Sequence, residues 1–248
     1  MKHPSTPIPA RLISRSNRFL GVVELDGKPV ECFIPNPGRM NEFMVPGTTV
    51  YLIHKPGKQR KTDYDLTLVQ YKDTLVSIDS RLPNHILREA IKMNKLPEFK
   101  GYSVTRTEPT FHDSRLDLLL NKGNNQILVE AKSCTLVEQG TALFPDAPTK
   151  RGARHMGTLI HALNQGRAAV CFIVQRDDAE EWRPHKEMDP DFTYAIIEAA
   201  RQGVEAYAYR CHITLQEARI SQRIPVNLEK HPKQIEKTKT KPTKAKKA

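Results

Sequence analysis

The sequence predicts an α+β protein of two domains: a small N-terminal β-barrel or sandwich, then a mixed α/β domain. Three observations carry this reading. Residues 10–80 form short apolar strands at regular spacing, broken by turn residues; beyond residue 82, helical and strand periodicities alternate; and AAVCFIV, residues 168–174, is the near-continuous apolar run of a strand covered on both faces.

In the first domain, 1–81, the expected strands are ARLISRS, FLGVVEL, PVECFI, TTVYLIH, YDLTLVQY and TLVSID, with turns at Asp26-Gly27 and Pro46-Gly47. The second domain, 82–228, opens with a helix over residues 83–95, where Ile86, Ala90 and Met93 share one face and Pro97 forbids continuation. Strands follow near 102–107, 115–120 and 126–132. A helix over 150–165 keeps Met156, Leu159, Ile160 and Leu163 at helical spacing; then come the 168–174 strand, a helix over 191–202 and a strand over 204–210. The last segment, 229–248, is Lys-rich and carries Ile235 as its one large aliphatic side chain, too little apolar surface to offset the entropy of ordering, so disorder is expected there.

Composition narrows the functional classes. With 39 Lys and Arg against 28 Asp and Glu, the formal charge of +11 attracts polyanions, nucleic acid first and acidic lipid second. The opening MKHPSTPIPARL lacks the apolar core of a secretion signal, and the longest apolar run is too short to cross a bilayer, so a cytoplasmic protein without a membrane partner is expected. Cys32, Cys134, Cys171 and Cys211 form no C-x-x-C pair and read as reduced, mostly buried thiols. No H-E-x-x-H, zinc-finger spacing or nucleotide-binding P-loop occurs, which argues against zinc and ATP chemistry.

One stretch demands an explanation. SRLDLLLNKGNNQILVEAKSC, residues 114–134, reads as two apolar strands that carry Asp117, Glu130 and Lys132 into an interior where charges are rarely tolerated unpaired. If Lys122-Gly123-Asn124-Asn125 is a four-residue hairpin loop, Asn121 faces Gln126 and Asp117 faces Glu130, with Cβ atoms roughly 5 Å apart; Lys132 lies on the same side as Glu130 because strand period is two. Two carboxylates so close repel unless a cation lies between them, and magnesium (or manganese) suits oxygen ligands, retained waters and a substrate phosphate. Such an ion activates water, and Lys132 steadies the developing charge. A cross-strand ion pair with Lys132 is the alternative use of the same residues.

The order helix, three strands, helix, strand, with Asp117 and then Glu130-x-Lys132, resembles the PD-(D/E)xK nuclease core. PNPGRM, SRLDLLL, VEAKSCTL and FPDAPTKRGARHM together resemble the sugar fermentation stimulation protein A family, over nearly the whole chain except the Lys-rich end. The resemblance implies an N-terminal OB-fold joined to a C-terminal PD-(D/E)xK nuclease-like domain, largely sequence-independent DNA binding with RNA left open, and a regulatory link to sugar (maltose) metabolism. It assigns Asp117 and Glu130 as metal-binding acids and Lys132 as the catalytic lysine, and puts Glu89 where relatives of this core carry a further helix-borne acid. Leu116 stands where the name-giving proline would be.

Further contacts are expected around this centre. Arg151, Arg154 and His155 open a helix, where free N–H groups favour an anion, and are candidates for phosphate binding. Arg115 points away from Asp117. On an OB barrel, Arg39 and the loop residues Lys58, Arg60 and Lys61 are candidate phosphate contacts, and Phe19, Phe33 and Tyr51 either stack on bases or pack in the core. Lysines of the 229–248 segment would add salt-sensitive affinity by counterion release. Three functional readings stand: a magnesium-dependent phosphodiesterase, a DNA-binding regulator that keeps the nuclease fold without turnover, or a metabolic or structural protein whose basic tail meets ribosomes or membranes only incidentally.

Overall fold

A computed structural model describes residues 1–112 and 114–228. Six strands build the first unit: β1 (Ile8–Asn17), β2 (Leu20–Leu25), β3 (Lys28–Phe33), β4 (Thr49–His54), β5 (Tyr64–Tyr71) and β6 (Thr74–Ser77). They order as β3-β2-β1-β4-β5-β6, and a parallel bridge from Phe33 on β3 to Asp65 on β5 closes the first five into the OB barrel. Closure removes free edges, and the alternating inward residues Leu12, Val23, Val50, Leu52 and Leu66 fill the interior. Asp26 and Gly27, both at positive φ, make the tight β2–β3 turn that the sequence announces.

The second unit begins with α1 (Leu82–Lys92) and a 3-10 turn at Pro97–Phe99. Strands β7 (Ser103–Thr107), β8 (Thr110–Phe111), β9 (Ser114–Arg115), β10 (Leu118–Lys122), β11 (Asn125–Cys134), β12 (Val137–Glu138) and β13 (Thr141–Phe144) follow. Then come α2 (Lys150–Ala162), β14 (Arg167–Val174), β15 (Glu181–Pro184), α3 (Pro190–Arg201), β16 (Glu205–Ile213) and β17 (Ala218–Ile224). The main sheet runs β17-β16-β14-β11-β10-β7, with β11, β14 and β16 parallel and antiparallel strands outside them. α1 covers one face over Leu118, Leu120, Ile127 and Val129, whereas α2 and α3 cover the other over Leu128, Val170 and Phe172. β14 is therefore enclosed on both sides, as its unbroken apolar run requires.

Several expectations change in detail. Strand 115–120 is broken between β9 and β10, leaving Asp117 in the gap. The β10–β11 hairpin closes with a two-residue loop, Gly123-Asn124, because Lys122 pairs with Asn125; the register still matches Asn121 to Gln126. α1 stops before residue 95 because Asn94 takes φ of 52°, which leaves Met93 54% exposed at the helix end rather than in the core. Ile160 and Leu163 are only partly buried. The small sheet β12-β13-β15 is not announced by the sequence, since strands of two to four residues show no period, and the seven-residue edge strand β17 is not announced because it buries only its end residues, Ala218 and Ile224. All four cysteines are buried and free. Among the described residues no helix is long and apolar enough to cross a membrane. The Lys-rich segment 229–248 lies outside the described residues.

An aromatic cluster locks α3 and β15 onto the sheet. Phe172 stacks on Trp182 with centroids 3.8 Å apart, and Phe144 and Phe192 meet the same ring at 5.5 and 6.4 Å. Phe172→Ala should cost about 3–5 kcal/mol, read as a lower urea midpoint by fluorescence of the single Trp; a loss under about 1 kcal/mol would contradict this packing.

Candidate active site

Glu130 and Lys132 project from the same face of β11, while the hairpin register, Leu118 against Val129, brings Asp117 level with Glu130. Asp117 sits just before β10, where its amide donates to Val129 O (3.1 Å) and its carbonyl accepts from the Glu108 amide (2.8 Å). Its carboxylate accepts from Asn84 Nδ2 at 2.6 Å and from the Ala131 amide at 2.7 Å, so the start of α1 and the middle of β11 fix it from two directions.

Glu130 is held unevenly. Its Oε1 accepts from Lys132 Nζ at 2.6 Å and His155 Nδ1 at 2.5 Å, while Oε2 is buried with no hydrogen-bond partner. His155, on α2, is 1% exposed, and Arg151 Nε lies 3.3 Å from its Nε2. An arginine can only donate, so Nε2 accepts and the ring proton belongs on Nδ1, directed at Glu130.

The two acids are thereby pushed apart in acidity. Burial, and then the Glu130 charge, raise Asp117 to about 6 despite the hydrogen bonds from Ala131 and Asn84. Burial also works against ionised Glu130, but the His155 hydrogen bond and the Lys132 charge outweigh it and hold this carboxyl below its usual range. An ionised acid with a vacant buried oxygen, beside a second acid destabilised by it, fits a hard, oxygen-preferring divalent cation. Among the described residues no group of three or more His, Cys, Asp or Glu could hold a metal, so such an ion would keep waters or substrate oxygens as its other ligands.

These groups floor a cleft of about 910 Å³ between the barrel and the α/β unit, with Arg18 and Arg39 on the barrel wall and Arg151 at the start of α2 opposite. Arg15 shapes the barrel wall: its guanidinium donates to the carbonyls of Arg39 (2.6 Å), Arg18 (2.9 Å), Gly38 (2.9 Å), Asn36 (3.2 Å) and Asn17 (3.3 Å). From the other unit, Asp146 accepts the amides of Arg39 and Met40; burial nonetheless pushes its pKa above the usual carboxylate range. A Cβ at Gly38 would collide with that carboxylate, so PNPGRM needs its glycine to let the two units meet.

Asp117, Glu130, Lys132, Arg39 and Arg151 thus converge, and the other expected residues do not. Glu89 lies on α1 2.6 Å from the Met1 ammonium, five residues and roughly 140° around the helix from Asn84, the α1 residue that meets Asp117. His155 is no surface phosphate ligand, because it is buried behind Glu130. Arg154 is exposed but outside the cleft lining, as are Lys58 and Lys61 in the β4–β5 loop. Arg60 pairs with buried Asp65. Tyr51 packs against the core below α1, whereas Phe19 is exposed and stacks on half-buried Phe33. Arg115 is exposed and pairs with Glu108 at 3.2 Å. Asn84, Arg15, Arg18 and Asp146 escaped the sequence reading; only Asp146 lies in one of the quoted motifs, FPDAPTKRGARHM.

An OB barrel set against a mixed α/β domain, with paired acids in the cleft between them, defines the class. Comparison with known proteins gives the family. The model of the SfsA N-terminal OB domain matches residues 13–78, and that of the sugar fermentation stimulation protein RE domain matches residues 81–217. A sugar fermentation stimulation protein homolog of Natranaerobius thermophilus is 43% identical over 228 residues, covering 90% of this chain and 95% of the relative. One from Moorella thermoacetica is 46% identical over 213 residues, covering 85% and 92%. A solved structure of Pyrococcus furiosus SfsA in complex with Ca2+ is 33% identical, covers 92% of this chain and 98% of its own, and superposes with a TM-score of 0.85. The chain belongs to the sugar fermentation stimulation protein family.

The raised Asp117 pKa has a consequence for stability. The folded, metal-free protein keeps this proton up to about pH 6, while the unfolded chain releases it near the ordinary 3.8, so stability falls as pH rises from about 4 through 6, by about 2–3 kcal/mol from this group. Asp117→Asn should flatten that part of the urea-midpoint profile measured in EDTA and be the more stable protein above pH 6; a variant profile parallel to the parent's would disprove the assignment.

Proposed function

We propose that this protein is a cytoplasmic, divalent-cation-dependent phosphodiesterase that acts on DNA without sequence preference. The observation that carries the reading is the vacant, buried Oε2 of an ionised Glu130 beside Asp117, at the floor of an arginine-walled cleft. A relative 33% identical is described in complex with Ca2+, a cation with the same preference for oxygen, which supports a divalent site here. The formal charge of +11 supports a polyanionic substrate.

Asp117 and Glu130 would hold magnesium or manganese, and the ion when bound supplies an activated water and neutralises charge at a phosphate oxygen. Lys132, 2.6 Å from Glu130 Oε1 and partly open to the cleft, donates to the attacking water or to that oxygen. His155 keeps Oε1 engaged and so presents Oε2 as the ligand atom. Arg39 and Arg151 bind phosphates on either side of the scissile bond from opposite walls. The family's name links it to sugar fermentation, and a regulatory role there would act through the same nucleic-acid contacts.

The engagement of Lys132 by Glu130 favours one competing reading, a DNA-binding regulator with a silent site. Single- and double-stranded DNA and RNA incubated with Mg²⁺ or Mn²⁺ separate the two. Cleavage should appear and fall to less than about one-hundredth in Asp117→Ala and Lys132→Ala, with binding in EDTA retained. No product from the parent on any substrate, or equal cutting by the variants, would overturn the catalytic reading.

A further inference from the structure

The chemistry above leaves unused an aromatic feature on the barrel. Phe19 is 46% exposed and lies nearly parallel to Phe33, with 13° between the rings and 6.1 Å between centroids. Neither ring belongs to the barrel core. The backbone that carries Phe19 is pinned. Asn17 Oδ1 accepts the Phe19 amide at 2.9 Å, the Phe19 carbonyl accepts from Ile34 at 2.8 Å, and Arg15 holds the carbonyl of Arg18.

Cations continue the stack. Arg60 and Arg81 lie 5.9 and 6.0 Å from the Phe33 centroid, and both guanidinium groups are anchored on the buried Asp65 carboxylate. That pairing offsets their charge but fixes their position; the unpaired positive charge comes from Lys58 and Lys61 in the loop that carries Arg60. Both ends of the strip adjoin the cleft. Arg18, which precedes Phe19, lines it, as do Ser80 and Pro83 on either side of Arg81.

We propose that the Phe19–Phe33 stack is a base-stacking platform for single-stranded nucleic acid, whose strand continues from it into the cleft. The face of an aromatic ring binds a base only when that base is free of its own duplex stack, and rings interleaved with cations are how backbone-tracking grooves hold unpaired strands. A duplex keeps its bases inside and would meet only the charges. The proposal refines the phosphodiesterase reading, from which it takes the direction of the strand, by naming the strandedness of the substrate.

The test uses the full chain in EDTA, so that no turnover is needed, with fluorescein-labelled oligo(dT) and a blunt DNA duplex as probes. Phe19→Ala should weaken oligo(dT) binding about tenfold, leave duplex binding within about twofold, and leave the slope of affinity against salt unchanged, since stacking releases no counterions. Phe19→Trp should bind like the parent, and its indole emission should be quenched by oligo(dT) but not by duplex; Trp182 is fully buried and serves as the constant background. Parent-like affinity in Phe19→Ala, equal losses for both probes, or an unquenched indole would each overturn the platform. Failure of cleavage leaves these binding results standing, and failure of the platform leaves the cleavage test intact.

Discussion

Burying a carboxylate on the apolar face of β11 is the constraint on which the rest of the molecule depends. Losing hydration would neutralise Glu130 or expel it, so the fold supplies an ammonium two residues along the same strand and an imidazole from α2. Both partners use one oxygen. The other has no protein donor, and the charge so preserved adds to burial in raising the Asp117 pKa across the hairpin. The groups that make Glu130 tolerable thus leave one of its oxygens without a protein donor.

The second constraint is the joint between the units. A barrel and an α/β domain form a defined cleft only if their loops hold a fixed distance, and polar contacts set it here. Arg15 gathers five carbonyls of the barrel wall, Asp146 accepts two of its amides from the other side, and Gly38 gives the clearance. At the opposite end of the joint the Ser77 amide donates to Gln175 O. Arg39 is thereby directed at acids more than seventy residues later in the chain, across from Arg151.

What could be read from the sequence follows from which interactions are local. The hairpin register was legible because strand period and the polar segment between β10 and β11 are local signals; the loop came out two residues shorter because Lys122 and Asn125 still pair. β14 was legible from its apolar run, and the acid pair from the cost of charge in such strands. Glu89 and Met93 were misplaced for one reason: periodicity gives a helix face but not its azimuth in the assembled domain, nor the residue at which Asn94 ends it. His155 looked like a phosphate ligand because a basic helix start is a local pattern, whereas its burial behind Glu130 is a tertiary fact. Asn84, Arg15 and Asp146 act through contacts distant in sequence, and no spacing announces them.

The central claim is that Asp117 and Glu130 share one divalent cation. Anomalous diffraction from crystals soaked in manganese tests it most directly. A peak within coordination distance of Asp117 and of Glu130 Oε2, with the His155 and Lys132 contacts to Oε1 retained, is the expected result. A map without a peak between the two acids, or with Oε2 bound instead by a protein donor, would contradict it.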